Sequence, residues 1–423
     1  MRNRIFLAFA EKSFLFLWLS EIFTILAFNL FNFYILLRVY ALTKSNLAVS
    51  LAVISFTLPA ILFGVLAGVY VDRLNKKHVL FVANIVRGIL VIILALFPDN
   101  LFVLYTTSFL VAVVTQFFIP AETPMIPLLV KKELLFSANA LFGLGLYGSA
   151  LLAYLLSGPI LLFFGGVQTL ILLGFMFLIS SIFITGIHLE KKRGKKRLGL
   201  LQVPKAALIA EVREAINIMR NSRPIYNSLF LLTLSQILLL VLAVIAPGYS
   251  TQILKINIEE FPLYFIAPAA FGVLVGAIVL ITVLHDKSKE KLTTIGLFLS
   301  GIAMLVLPYG AKISAREIVQ TLNHSLPHVL DLTPHHLVIA MAFLLGLANA
   351  FIFVPSNTIL QEKTTDEFRG KIYGVLNAMV GIFSLIPIMI AGGLSDFFGV
   401  DKVIVGVGVT LLALGFGRIL FKF

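Results

Sequence analysis

Three ionisable residues fall inside long apolar runs: Glu21, Arg87 and Glu122. A charge at that depth costs about 2.5 to 3.5 kcal/mol on insertion scales, so each of these side chains implies a partner or a task. A carboxyl group there can carry a proton or face a cationic solute, and a guanidinium can neutralise it. Arg87 lies nine residues into the third run, and Glu122 lies nine residues before Lys131 at the end of the fourth. Consecutive antiparallel helices are usually neighbours, so matching depths allow these two to meet. The pair is then either a static neutralising contact or a switch in which Glu122 titrates, releasing Arg87 or exchanging it for Arg73. Glu21 stands among Trp18, Ser20 and Thr24. It is either a proton carrier or cation binder, or a residue hydrated near the interface. Asn29, Asn32, Gln116, Gln236 and Asn349 place uncharged amides at similar depth. They suit the lining of a substrate cavity or hydrogen bonding between helices.

The elements that position these groups follow from the apolar runs. The chain has 423 residues, 60% of them hydrophobic and 13% charged. Runs of spanning length occur six times before residue 190 and six times after residue 223. The expected fold class is all-α and integral to a membrane, with twelve transmembrane helices in two pseudo-symmetric six-helix bundles. The bundles are expected at 1–189 and 224–423, joined by a basic cytoplasmic linker with an interfacial helix at 190–223. The run beginning near Phe14 is too long for a signal peptide and is expected to stay as the first helix. With the amino terminus inside, most basic residues fall in inside connections, and the outside ones hold only Arg38, Lys44, Lys255, Lys312, Arg316 and Lys402. The positive-inside rule therefore places both termini in the cytoplasm. Topology also accounts for the formal charge of +13 and for KKRGKKR in the linker, which is read as facing anionic headgroups and not nucleic acid.

The chain contains no cysteine, which excludes disulfides, thiolate metal sites and cysteine nucleophiles. His324, His328, His335 and His336 cluster near one long outer connection without accompanying acidic ligands, and are read as a solvated loop. No cofactor or metal is expected. The acids are too scattered for a membrane enzyme.

Between the second and third runs the sequence reads GVLAGVYVDRLNKK, Gly64 to Lys77. Gly64 and Gly68 clear one helix face for close approach. Asp72 falls at a helix carboxyl end, where the dipole disfavours it, so its natural partner is the amino end of another helix. Arg73, Lys76 and Lys77 make a cationic turn, and Asn75 is a type that tolerates the left-handed conformation. These residues are expected to form a conformational latch. Ahead of the eleventh run, Thr364 and Glu367 make a capping box, with Asp366 and Glu367 in the first turn of a helix that would receive Asp72. Two segments recur: GVLAG at 64–68 as GVLVG at 272–276, and FIPAET at 118–123 as FVPSNT at 353–358. Their matching positions suggest a duplicated six-helix unit.

The Gly64–Lys77 stretch resembles the loop-2/3 signature of the major facilitator superfamily, with Asn75 where that family usually has glycine. The loop containing Gln361, Glu362, Thr364, Asp366, Glu367, Arg369, Gly370 and Lys371 is similar to that of its macrolide, multidrug and siderophore exporters. So is PLLVKKELLFSANAL at Pro127–Leu141. The resemblance implies a monomeric secondary transporter in a prokaryotic plasma membrane, exporting small lipophilic or amphipathic compounds against inward proton flow. Lipid or lysolipid transport, or uptake, on the same fold are the alternatives, and a non-transporting sensor or scaffold is the rival from another class. Exporters of this branch tend to carry an acid midway along the first helix, where this chain has Phe28 and Asn29, so Glu21 or Glu122 would substitute for it.

Overall fold

The computed structural model describes residues 7–188, 222–309, 334–364 and 366–421. Among them the chain is helical throughout. Residues 190–221 of the expected linker at 190–223, and His324 and His328, lie outside the described residues.

The first six helices are α1 (Lys12–Thr43), α2 (Asn46–Arg73), α3 (Lys76–Leu94), α4 (Leu101–Glu122), α5 (135–164) and α6 (166–185). Between α4 and α5 the chain makes single turns at Thr123–Met125, Ile126–Leu129 and Lys132–Leu134. The second six are α7 (Arg223–Gly248), α8 (Ala267–Thr282), α9 (Lys289–Val306), α10 (Pro334–Lys363), α11 (Asp366–Phe398) and α12 (Val400–Phe421). Eleven stretches are long and apolar enough to cross a membrane, and the longest, Ser137–Thr185, holds both α5 and α6. Gly165 divides it with φ 73° and ψ 177°, a conformation open essentially to glycine alone. The described residues therefore contain twelve spans, as the hydropathy pattern requires.

Local chemistry fixes several helix starts. The Asn75 side chain accepts from the His78 amide, Asn100 from Val103 and Ser288 from Lys291, capping α3, α4 and α9. Asn75 has φ −72°, so it acts as an N-cap and not in the left-handed turn that its type permits.

The described residues form two compact units, 7–42 with 51–188 and 43–50 with 222–421. The first turn of α2 thus clusters with the second unit. In the first unit, α3 packs on α4 and on the α5–α6 stretch; in the second, α10 packs on α7, α8 and α9. Small residues decide how closely helices approach. A Cβ on Gly272 would strike the Phe343 carbonyl, one on Gly276 the Ala350 Cβ, and one on Gly346 the Ala269 carbonyl. The repeated Gly-x-x-x-Gly is therefore a close-packing face at 272–276 but not at its first copy. A Cβ on Gly64 would come no nearer than 3.7 Å to Gln116, and one on Gly68 would meet nothing within 4 Å. Gly346→Ala is expected to cost roughly 1–3 kcal/mol by forcing α8 and α10 apart, whereas Gly68→Ala should leave stability unchanged. Thermal melting of the detergent-purified protein distinguishes the two.

Candidate functional site

A buried polar network occupies the first unit. α1 contributes Ser20 and Thr24, α3 contributes Asn84 and Arg87, α4 contributes Thr115, and α6 contributes Ser180. The Ser180 hydroxyl is central, at 2.8 Å from Ser20 Oγ and 2.7 Å from Thr24 Oγ1, and it accepts from Asn84 Nδ2 at 2.7 Å. Thr24 also donates to Asn84 Oδ1 at 3.2 Å. Arg87 Nη2 donates to that same oxygen at 2.5 Å, and Arg87 Nε donates to the Ala83 carbonyl at 3.4 Å. Every hydroxyl and amide in this set is buried, and burial without partners would be costly, so the network holds the four helices in one rotational setting.

Arg87 is 1% exposed. Its guanidinium carbon lies 4.3 Å from the centre of the Phe118 ring and 5.0 Å from that of Phe177, so the cation is held between two aromatic faces as well as by Asn84. Glu122 exerts a Coulombic effect on Arg87, yet among the described residues no ion pair within 4.0 Å joins them. The direct pair expected from matching depths is not formed. Asn84, one turn earlier on the same helix, and the rings of Phe118 and Phe177 hold the guanidinium instead.

Glu21 and Glu122 are both buried, and they act electrostatically on each other. Among the described residues both Glu21 carboxylate oxygens and Glu122 Oε1 have no hydrogen-bond partner. Glu21 sits on α1 opposite Gly145 of α5; a Cβ built there would lie 3.3 Å from Glu21 Oε2 and 2.8 Å from Trp18 Nε1. Trp18 Nε1 donates to the Leu141 carbonyl at 2.8 Å, tying α1 to α5 beside the carboxylate. The hydrated-interface reading of Glu21 does not hold, because the side chain is fully enclosed. Two carboxyl groups and one guanidinium thus share one interior, and the network around the guanidinium is better satisfied than the carboxyl groups are.

The amide candidates disperse. Asn29 Nδ2 donates to Ile25 O at 2.9 Å and Gln116 Nε2 to Ala112 O at 3.3 Å, both within their own helices. Asn349 Nδ2 donates to Ser235 Oγ at 2.8 Å, joining α10 to α7. Asn32 Oδ1 is buried without a partner. Gln236 is half-buried on α7. Asn29, Asn32 and Gln116 belong to the first unit and Gln236 and Asn349 to the second. Among the latch residues, Lys77 Nζ donates to Thr185 O at 2.9 Å and Ile187 O at 2.6 Å, satisfying carbonyls at the end of α6. The side chain of Asp72 and those of Asp366, Glu367 and Arg369, with Gly370, lie outside the described residues. Among the described residues the buried Thr364 hydroxyl has no hydrogen-bond partner.

A carboxylate does cap a helix amino end, elsewhere in the chain. Within the second unit, Asp396 of α11 accepts from the Asn46 amide at 2.7 Å, from Asn46 Nδ2 at 3.0 Å, from the Leu47 amide at 3.0 Å and from the Ser45 hydroxyl. Ser50 Oγ donates to Ile388 O at 2.9 Å, and a Cβ on Gly392 would collide with Ser50 and Asn46. The dipole and the orphan amides of the first turn of α2 are thereby met by an acid far away in sequence. Asp396→Ala is expected to destabilise the protein by about 1–2 kcal/mol, read as a lower melting temperature than that of Asp401→Ala.

Comparison with known proteins places this arrangement. A model of the Major Facilitator Superfamily matches residues 17–386. YfiS of Bacillus subtilis strain 168, an uncharacterised MFS-type transporter, is 21% identical over 384 residues, covering 90% of this chain and 85% of that protein. Macrolide efflux protein A of Streptococcus pyogenes is 20% identical over 394 residues, covering 91% of this chain and 90% of its own. Among solved structures, the inward-facing, unoccupied bacterial homologue of the human lysosomal transporter Spinster aligns with a TM-score of 0.72 and 14% identity, over 96% of this chain and 95% of that one. The nucleoside transporter NupG aligns with a TM-score of 0.71 and 10% identity, over 96% and 99%. Identities this low carry the fold alone, but the family model spans most of the chain. With twelve spans in two units and that match, the chain belongs to the major facilitator superfamily and is a multi-pass membrane transporter, not an enzyme.

Proposed function

We propose that this transporter exports small lipophilic or amphipathic compounds by alternating access, in exchange for protons. The observation that carries the reading is the enclosed set of Glu21, Glu122 and Arg87. Carboxylate oxygens without partners inside a span are costly as anions, and binding a proton or a cationic cargo removes that cost. Arg87, already satisfied by Asn84 and the two rings, can stay charged while the carboxyl groups change state. The likeness to a macrolide efflux protein supports outward movement of lipophilic cargo.

In this account the units are two six-helix bundles, 1–189 and 224–423, joined by the basic cytoplasmic linker at 190–223. Both termini are cytoplasmic in a prokaryotic plasma membrane, and the protein acts as a monomer. The latch of Gly64, Gly68, Asp72, Arg73, Lys76 and Lys77 meets the loop containing Asp366, Glu367, Arg369 and Gly370. Asp72→Asn should then reduce transport while leaving insertion intact.

The test is proton movement in inverted vesicles with an acid interior, to which lipophilic cations, macrolides and siderophores are added. Compound-triggered proton release supports the reading. Compound flux with no proton movement overturns the coupling, and movement of lipid alone favours lipid transport. Absence of any flux favours a sensor or scaffold.

A further inference from the structure

A second cluster of charge lies apart from Glu21 and Arg87, wholly inside the second unit. The first two turns of α7, the first turn of α9 and the last turn of α12 enclose a cavity of about 220 Å³. Arg223, Asn227 and Ser228 line it from α7, Glu290 and Thr293 from α9, and Arg418 from α12. Arg418 is only 8% exposed, and its Nη1 donates to Thr293 Oγ1 at 2.6 Å, which orients the guanidinium. Glu290, exposed on the rim, exerts a Coulombic effect on it. Arg223 is exposed at the mouth, and the Ser222 side chain makes no cap bond at the amino end of α7.

The chemistry of this cavity is that of an anion site. Two guanidinium groups outweigh one carboxylate, hydroxyl and amide donors stand between them, and the positive amino ends of α7 and α9 meet there with the one carboxyl end of α12, which Arg418 offsets. What adjoins it is apolar. Tyr226 is 49% exposed, Phe416 58%, Ile419 57% and Leu420 74%, on the same turns of α7 and α12. An anion-binding pocket on turns that also carry exposed apolar side chains suits an amphiphile with a phosphate head and hydrocarbon tails. We infer that this cavity binds the phosphate headgroup of an anionic phospholipid, with Arg418 and Arg223 as its cationic contacts and the acyl chains along α7 and α12. The inference rests on the chain spanning a membrane, and not on the proposed cargo or proton coupling.

The experiment is a melting curve of the detergent-purified full chain titrated with phosphatidylglycerol, phosphatidylcholine or inorganic phosphate. Phosphatidylglycerol is expected to raise the wild-type melting temperature and phosphatidylcholine to leave it unchanged. Arg418→Gln and Arg223→Gln should each move the half-saturating phosphatidylglycerol concentration upward by about tenfold, the loss expected for a charge-assisted hydrogen bond. Arg223 is exposed, so its variant keeps the test valid even where Arg418→Gln folds poorly. Glu290→Gln should shift the titration the other way. Equal titrations in wild type and Arg223→Gln, or no response to phosphatidylglycerol in wild type, would overturn the site. A shift produced equally by inorganic phosphate would overturn the lipid and leave a free-phosphate site.

Discussion

Arg87→Met will lower stability more than any other single substitution in the first unit, by roughly 3–5 kcal/mol, the usual cost of removing one charge from a buried set. The guanidinium is enclosed between Phe118 and Phe177 and donates to Asn84 Oδ1. Without it, that oxygen loses its shortest donor, and buried Glu122 loses the cation that acts on it. Arg87→Lys should recover only part of the loss, because an ammonium cannot lie flat between two rings while reaching Asn84. The double variant Arg87→Met with Glu122→Gln should be more stable than Arg87→Met alone, since the orphaned charge goes with its partner. Thermal melts of the four purified proteins check this. Additive losses would show that Arg87 and Glu122 are energetically independent.

The second large effect falls on coupling. Glu122→Gln and Glu21→Gln each keep the shape of the side chain and remove its ability to exchange a proton. At least one of them should lower compound-driven proton movement in vesicles by on the order of 10², the scale on which a positioned proton-transfer group contributes. Melting temperatures should stay close to wild type or rise, because both residues carry unpartnered oxygens in the folded state. Loss of both stability and flux would assign these carboxyl groups to structure instead.

The apolar runs made the twelve spans legible, because spanning length is a property of local composition. The three buried charges were legible for the same reason, each being an exception within a run. Their partners were not. Depth along a helix follows from residue count, but which way a side chain faces depends on helix rotation, and the rotation of α3 set Arg87 between the rings of Phe118 and Phe177. Ser180 was hidden as one of two adjacent serines in an apolar run, with nothing local to show that four hydrogen bonds meet there.

The two Gly-x-x-x-Gly copies make the same point. At 272–276 the face is filled by α10, whereas a side chain on Gly68 would meet nothing. The spacing describes a surface and not its partner. Asp396 shows it for charge: the principle that an acid seeks a helix amino end also applies at the start of α2, where the sequence did not point to it. Nothing near residue 396 reveals that the end of α2 lies beside it.

The most direct test of the central claim is proton release from the purified transporter in weakly buffered detergent solution as a transported compound is added. The account predicts that wild type releases about one proton for each compound bound, that Arg87→Lys still does so, and that Glu21→Gln or Glu122→Gln does not. Unchanged release from both glutamine variants would contradict it, because the proton would then come from a group outside this buried set.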